Sequence, residues 1–156
     1  MSTERRKKER PGLVSVIMPT YNSIQTLQRA VESVFKQSHA SIELIVCDDC
    51  STDGTWGRLK SLAIKHENIV IIRNDENRGA AFSRNKCLEL ARGEYIAFLD
   101  ADDAWFPVKV ERQVYAMASS GADFCYTSYW QVPVQGAGKD AFLRKCPAAI
   151  KKHHFF

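Results

Sequence analysis

Apolar and polar positions follow one another along this chain as short apolar runs separated by longer periodic segments. The run Leu13–Met18 is apolar and rich in β-branched residues, and Pro19 ends it. In the next segment apolar residues recur at the i, i+3 and i+4 spacing of one helical face, at Leu27, Ala30, Val31, Val34 and Phe35. A strand followed by a helix is therefore predicted.

The same alternation repeats through most of the chain. Further strands are predicted at Ile42–Cys47, Ile69–Ile72, Glu94–Leu99 and Asp123–Tyr129. Helical spacing of apolar residues appears in segments 56–63, 81–91 and 110–118, and Gly93 is predicted to end the third helix in a left-handed conformation. Strands that alternate with helices indicate βαβ units, so the expected fold is α/β, with a mostly parallel sheet covered by helices on both faces.

Polar clusters fall directly after three of the predicted strands, at Pro19–Asn22, Asp48–Thr55 and Asp100–Asp103. An open sheet of parallel strands binds ligands outside the carboxyl ends of its strands, where the connecting loops meet. The three clusters therefore predict one site formed by three loops.

Length and composition narrow the protein class. With 156 residues, 45% of them hydrophobic and 26% charged, the chain has the size and composition of one globular domain. No apolar run approaches the roughly 18 residues of a transmembrane helix, and the amino terminus lacks the apolar core of a signal peptide. Five cysteines without a framework spacing indicate reduced thiols and a cytoplasmic protein.

The net charge of +4 comes largely from two basic ends. Residues 1–12 are predicted to be a basic tail, 13–130 the folded domain, and 131–156 an atypical tail without clear periodicity. Basic ends of this kind are usually solvated, and attraction to an anionic membrane surface is the alternative. No nucleic-acid-binding motif accompanies them, so no nucleic-acid partner is expected.

Asp100, Asp102 and Asp103 place three carboxylates in one loop at the end of an apolar strand. Neighbouring carboxylates in a partly buried loop repel one another, and a divalent cation relieves that repulsion. Oxygen ligands suit Mg²⁺ or Mn²⁺, and Mg²⁺ commonly uses one or two carboxylates together with substrate phosphates. A solvated turn, with Asp102 or Asp103 capping the next helix, is the alternative interpretation of this loop.

The other two clusters also admit two interpretations each. In segment 48–55 one carboxylate can accept an N–H group of a ligand, or the acidic side chains can cap the following helix. Tyr21 puts an aromatic ring beside the expected cleft, where it can stack on a base or pack within the fold. The pair Cys47-x-x-Cys50 is half of a zinc motif, and no second pair completes it.

Four motifs in order carry a resemblance to a known family. They are V-S-V-I-M-P-T-Y-N, E-L-I-V-C-D-D-C-S-T-D-G-T, N-R-G-A-A-F-S-R-N and G-E-Y-I-A-F-L-D-A-D-D. Together they resemble the family 2 glycosyltransferases of the GT-A fold, a Rossmann-like α/β fold. The resemblance covers about Leu13 to Trp130, which corresponds to the nucleotide-binding half of that fold.

The resemblance implies a nucleotide-sugar donor such as a UDP-hexose, and roles for individual residues. Pro19 and Tyr21 resemble the residues that flank the uridine, with Thr20 and Asn22 beside them. Asp49 resembles the carboxylate that accepts the uracil N–H. Around the diphosphate and the sugar, the implied residues are Arg78, Arg84, Asp100, Ala101 and, as the ligand of a Mn²⁺ or Mg²⁺ ion, Asp102.

The same resemblance implies an acceptor, which would be a glycan or a lipid-linked glycan used in cell-surface polysaccharide or glycoconjugate synthesis. The catalytic base of such enzymes comes from the half after the D-x-D strand, and Asp140 is the single carboxylate in 131–156 and lacks that context. The base is therefore unidentified, and a truncated product with an unpaired sheet edge is expected.

Three functional hypotheses follow. The first is a glycosyltransferase that works in the cytoplasm or at the inner face of the membrane, with peripheral membrane association and homo-oligomerisation left open. The second is a non-catalytic fragment that binds nucleotide sugars. The third is a receiver-type α/β regulator, against which the P-T-Y-N segment argues.

Overall fold

The computed structural model of the protein describes residues 10–132 and 141–145. The first elements are β1 (Arg10–Thr20), α1 (Leu27–Phe35), β2 (Ile42–Asp48), α2 (Thr55–Lys65) and β3 (Ile69–Arg73). They are followed by α3 (Ala80–Leu90), β4 (Gly93–Phe98), α4 (Lys109–Ser120), β5 (Tyr129–Gln131) and β6 (Phe142–Arg144). The predicted α/β class is confirmed.

The main sheet has four parallel strands in the order β3-β2-β1-β4. Its two central strands are buried on both faces, since all seven residues of β2 and the segment Leu13–Thr20 of β1 are shielded from solvent. Continuous burial of this kind is typical of parallel strands that carry helices on both sides.

The helices divide between the two faces of the sheet. Cys87 of α3 packs in one buried cluster with Ile17, Ile45 and Cys47, which share one face because β1 and β2 pair in register. From β1 to β2 and from β2 to β3, the chain moves stepwise towards one edge of the sheet. From β3 to β4 it returns to the opposite edge. With right-handed crossovers, α1 and α2 therefore lie on the face opposite α3.

The predicted left-handed cap at Gly93 is wrong. Helix α3 ends at Leu90, and Gly93 is instead the first residue of β4. A Cβ atom at this position would lie 2.6 Å from the carbonyl oxygen of Leu13 and 2.7 Å from the amide nitrogen of Ser15. The glycine is required because β4 approaches β1 closely, not because of a positive φ.

The chain forms two compact units, residues 1–112 and 113–156. The first unit holds the parallel sheet with α1, α2 and α3. In the second unit, a strand was predicted at Asp123–Tyr129, but the strand begins only at Tyr129 and pairs antiparallel with Phe142–Arg144. The domain boundaries at 12/13 and 130/131 stay predictions, and residues 1–9 of the basic tail lie outside the described residues.

Candidate functional site

The carboxyl ends of β1, β2 and β4 border a cavity of about 500 Å³ within the first unit. All the predicted site residues except Arg78 line it, namely Pro19, Thr20, Tyr21, Asn22, Asp49, Arg84, Asp100, Ala101 and Asp102. The strand order brings them together, since β1 lies between β2 and β4 and all three strands point the same way. The convergence of three loops on one pocket is thus observed, and the ligand roles of these residues stay predictions.

The loop after β1 is tied to the loop after β2. The amide of Asn22 donates to Ser51 Oγ, and the Asn22 Oδ1 accepts from the Thr52 amide, both at 2.9 Å. Asn22 adopts a φ of 46°, a left-handed conformation that asparagine tolerates better than most residues. These reciprocal bonds hold the pocket segment that includes Tyr21, whose ring remains about half exposed.

Asp53 strengthens the same connection just before the start of α2. Its Oδ1 accepts from the Thr55 amide at 3.0 Å, while its Oδ2 accepts from the Ile24 amide across the loops at 3.0 Å. Burial opposes its charged form, but these bonds hold the pKa of Asp53 below its ordinary value. Of the three aspartates in segment 48–55, Asp53 contacts the first amide of α2, whereas Gly54 occupies the N-cap position and supplies no side-chain cap.

Asp49 is a buried carboxylate at the floor of the pocket. Its Oδ1 accepts from Asn74 Nδ2 at 2.6 Å and from the Arg78 amide at 2.9 Å, and its Oδ2 accepts from the Gly79 amide at 2.7 Å. Burial raises the energy of the charged form, yet these donors hold the pKa of Asp49 below its ordinary value. The pocket therefore contains a fixed negative charge.

Arg78 reaches the site through its backbone. Its amide bonds to Asp49, while its guanidinium lies over the Phe82 ring, 4.0 Å from the ring centroid. The side chain does not line the pocket. The expectation that it approaches a diphosphate stays a prediction.

Asp48, the neighbour of Asp49, is fully buried and serves the fold. Its Oδ2 pairs with Arg73 Nε at 3.1 Å and accepts from the Ser51 amide at 3.2 Å. Its Oδ1 and the hydroxyl of Thr20, its register partner on β1, are both buried without a hydrogen-bond partner among the described residues. Successive strand-end residues point to opposite faces, which separates the two aspartates.

The carboxylates in the acidic loop after β4 differ in their partners and in their surroundings. Asp100 forms an ion pair with Arg84 at 2.5 Å, and the backbone oxygen of Asp102 accepts from Arg29 Nη2 at 2.6 Å. Burial, followed by the charges of Asp102 and Asp100, raises the pKa of Asp103. Accumulated negative charge of this kind is what a cation would relieve.

The donor set fits a hard divalent cation that is shared with a ligand. Among residues 10–132 and 141–145, no group of three or more acidic, histidine or cysteine side chains is arranged to hold a metal alone. The carboxylate of Asp102 is exposed and lines the pocket. Mg²⁺ typically takes one or two carboxylates and completes its shell with phosphate oxygens and water, so such a site would be completed by the ligand.

Several residues around the pocket were missed by the sequence analysis. Ser23, Gln25, Thr26 and Ala80 also line it. Ser23 and Gln25 closely follow the P-T-Y-N segment, and Ala80 begins α3 after Gly79. Their proximity to the motifs was the signal in the sequence that could have identified them as pocket residues. Asn74, which bonds to Asp49, carried no such signal because it lies outside all four motifs.

Residues 15–141 match the family model described as glycosyl transferase family 2. The chain belongs to this family. The match includes β2, β3 and β4, the second half of β1, and every residue that lines the pocket. The resemblance inferred from the four motifs is thereby confirmed.

Two curated relatives illustrate the family context. The chain is 44% identical over 131 residues to TuaG of Bacillus subtilis, named for teichuronic acid biosynthesis, with 84% of this chain and 52% of the relative covered. It is 42% identical over 118 residues to WfaP of Escherichia coli, a UDP-Glc:alpha-D-GlcNAc-diphosphoundecaprenol beta-1,3-glucosyltransferase, with coverages of 76% and 46%. The chain thus spans about half the length of these relatives.

Two solved structures share the fold. The Staphylococcus aureus TarS fragment 1–349 in complex with UDP-GlcNAc superposes with a TM-score of 0.66 at 31% identity, covering 71% of this chain and 32% of that one. The Pyrobaculum calidifontis mannosyltransferase PcManGT, in complex with GDP-Man and Mn²⁺, superposes with a TM-score of 0.61 at 28% identity, with coverages of 74% and 34%. The predicted GT-A fold is confirmed.

Within the described part of the chain, none of the helices combines the length and the apolar character needed to cross a bilayer.

Proposed function

We propose that this chain forms the donor-binding half of a glycosyltransferase that moves a hexose from a UDP-sugar to a glycan or lipid-linked glycan in cell-surface polysaccharide synthesis. The observation that carries this proposal is the single pocket that joins Tyr21, Asp49 and Asp102 at three strand ends. The named activity of the glucosyltransferase WfaP and the UDP-GlcNAc complex of TarS support the same donor class.

In this proposal the uridine occupies the side of the pocket between β1 and β2. Asp49 is a charged acceptor without the solvation of a surface carboxylate, which suits a hydrogen bond from the uracil N–H. The half-exposed Tyr21 ring offers an apolar face to the base. The rest of this wall is formed by Pro19, Thr20 and Asn22. The hydrogen bond from the Asn22 amide to Ser51 holds this loop in place.

The diphosphate and sugar then lie towards β4. Asp102 would hold the divalent cation, with Asp100, Ala101 and Arg84 on the same wall. When bound, Mn²⁺ or Mg²⁺ supplies Lewis-acid stabilisation of the negative charge that develops on the departing diphosphate. Arg84 contributes a positive charge to this wall, and its ion pair with Asp100 fixes the guanidinium at the pocket.

A second candidate function is a nucleotide-sugar-binding fragment without turnover. The chain spans about half the length of its curated relatives. No catalytic base is assigned, and Asp140 lies outside the described residues. Transfer or hydrolysis of the donor sugar by the purified chain would exclude this second function.

A lipid-linked acceptor would place the reaction at a membrane surface. The acceptor in the name of WfaP carries a diphosphoundecaprenol group. The basic residues near the amino terminus suit a peripheral contact with anionic lipid. We therefore propose action at the inner face of the membrane.

Isothermal titration of UDP in the presence of Mn²⁺ tests the donor site. We expect binding that EDTA abolishes, and an Asp102→Ala variant whose affinity falls to the level measured in EDTA. Glu89→Ala, an exposed carboxylate on α3, is the matched control and should bind like the unmodified chain. Equal UDP affinity with and without metal would contradict the metal-assisted site.

A further inference from the structure

We propose that Asn74 is a positioning residue for Asp49, and that it sets which acceptor position of this carboxylate is available to the base of the donor. The inference rests on the proposed function, because it concerns recognition of the nucleotide at the same pocket. Its structural basis is a hydrogen-bond network beneath the pocket that uses every polar atom of the Asn74 side chain.

Asn74 is locked in one orientation. It is 2% exposed, and its backbone N–H donates to the backbone carbonyl oxygen of Asp48 at 2.9 Å. Its Nδ2 donates to Asp49 Oδ1 at 2.6 Å and to Ser83 Oγ at 3.0 Å, and its Oδ1 accepts from Cys47 Sγ at 3.6 Å. The carboxylate of Asp49 only accepts, so the nitrogen of the Asn74 amide must face it.

These bonds restrict what Asp49 can offer to a ligand. Each carboxylate oxygen has about two acceptor positions. On Oδ1 both are taken, by Asn74 and by the Arg78 amide, whereas on Oδ2 the Gly79 amide takes one. The Ser83 hydroxyl is a further donor that helps to lower the pKa of Asp49. Because Asp49 lines the pocket, Oδ2 is the oxygen that can accept from a ligand, and its remaining capacity suits a single N–H donor.

A single fixed acceptor discriminates between pyrimidines. The ring nitrogen N3 of uracil carries a hydrogen, whereas N3 of cytosine is itself an acceptor and would face the carboxylate unfavourably. A site built to accept a hydrogen bond rejects a ligand that lacks the donor, since its buried charge is then left unpaired. Without Asn74, the backbone amides of Arg78 and Gly79 would still hold the carboxylate, but Oδ1 would offer a second acceptor position. The exocyclic amino group of cytosine could donate to that position, so this selectivity would weaken.

The position of Asn74 follows from strand register. Asp48 pairs with Arg73, the last residue of β3, so the next residues, Asp49 and Asn74, leave the sheet side by side. Ser83 on α3 then supports Asn74 from the opposite side. The ends of β2 and β3 and the first turn of α3 thus meet beside one carboxylate.

Titration calorimetry with UDP, CDP and pyrophosphate tests the inference on the full chain with Mn²⁺. For Asn74→Ala we expect the preference for UDP over CDP to fall by about tenfold, as for the loss of one charge-assisted hydrogen bond, with pyrophosphate affinity unchanged. Asn74→Asp keeps the size of the side chain but removes the donor, so it should lose the same selectivity. Glu76→Ala, exposed in the same loop, is the matched control and should retain it.

The outcomes separate the inference from the proposed function. If both Asn74 variants lose affinity equally for all three ligands, or keep the full preference for UDP, Asn74 has no positioning role and the inference is overturned. If the unmodified chain binds UDP no better than pyrophosphate, or Asp49→Asn leaves UDP binding intact, recognition of the base at Asp49 fails, and the proposed function fails with it.

Discussion

The guanidinium of Arg84 lies 2.5 Å from the carboxylate of Asp100, so an ion pair joins α3 to the loop after β4 at the wall of the pocket. Both side chains are partly exposed, at 34% and 51%. Pairs in this environment contribute only about 0–1 kcal/mol to stability. The consequence of this pair is local, because it neutralises one of the clustered aspartates and leaves Asp102 available.

Replacing Arg84 with glutamine should separate its effect on stability from its effect on ligand binding. We expect the free energy of unfolding to change by less than about 1 kcal/mol, since the pair is solvated. The affinity for UDP with Mn²⁺ should fall by about tenfold, as for one lost charge-assisted contact near the diphosphate. Urea unfolding and calorimetry measure the two quantities. Arg58→Gln, exposed on α2, should leave both unchanged, and intact UDP affinity in Arg84→Gln would contradict a role at the site.

Gly93 should be intolerant of any side chain. In Gly93→Ala the added Cβ would meet the Leu13 oxygen at 2.6 Å and Ser15 Oγ at 2.8 Å, so β4 must move away from β1. We expect a loss of about 1–3 kcal/mol in the free energy of unfolding, as for overpacking.

Gly57→Ala is the matched substitution within α2, where an added Cβ has nothing within 4 Å. It should stabilise the chain by about 0.4–1 kcal/mol, because alanine loses less backbone entropy on folding. Urea unfolding of both variants measures the difference. Equal effects of the two substitutions would rule out close approach as the reason for Gly93.

Glu43 should make the free energy of unfolding depend on pH in the acidic range. This side chain, 4% exposed, accepts from Ser15 Oγ at 2.6 Å and from Arg92 Nη2 and Nε at 2.6 and 2.9 Å. Burial opposes its charge, but these bonds dominate and hold the pKa of Glu43 below its ordinary value of 4.5. Because the folded pKa is the lower one, the stabilisation is complete above about pH 4.5 and is lost as the pH falls through the folded pKa.

Glu43→Gln should therefore lose about 1–3 kcal/mol at pH 7, less than a fully buried pair because Arg92 is 42% exposed. The difference from the unmodified chain should shrink below pH 4.5 in urea unfolding curves. Glu67→Gln removes an exposed carboxylate and should cost nothing measurable at either pH. A loss that is independent of pH would contradict the charge of Glu43 as its cause.

The strand and helix pattern was largely predictable, because the sheet is parallel and its two central strands are buried on both faces. Each central strand is then a mostly apolar run, and Leu13–Met18 and Ile42–Cys47 lie within the observed β1 and β2. The polar residues at the carboxyl ends of the strands were equally easy to identify in the sequence, because each of these loops interrupts an apolar run. Asp123–Tyr129 was mispredicted because its mixed polarity matches neither a strand of the buried sheet nor a helix.

The sequence by itself determined the alternation of elements, the family, and the loops that carry the pocket, since these depend on local periodicity and on motifs of adjacent residues. Only the tertiary structure decided that Asn74 supports Asp49, that Glu43 pairs with Arg92, and that Gly93 allows β4 to approach β1. Each of these contacts joins residues at least 25 positions apart, or strands brought together by register. Such partners are chosen by strand order and crossover direction, which local patterns do not encode.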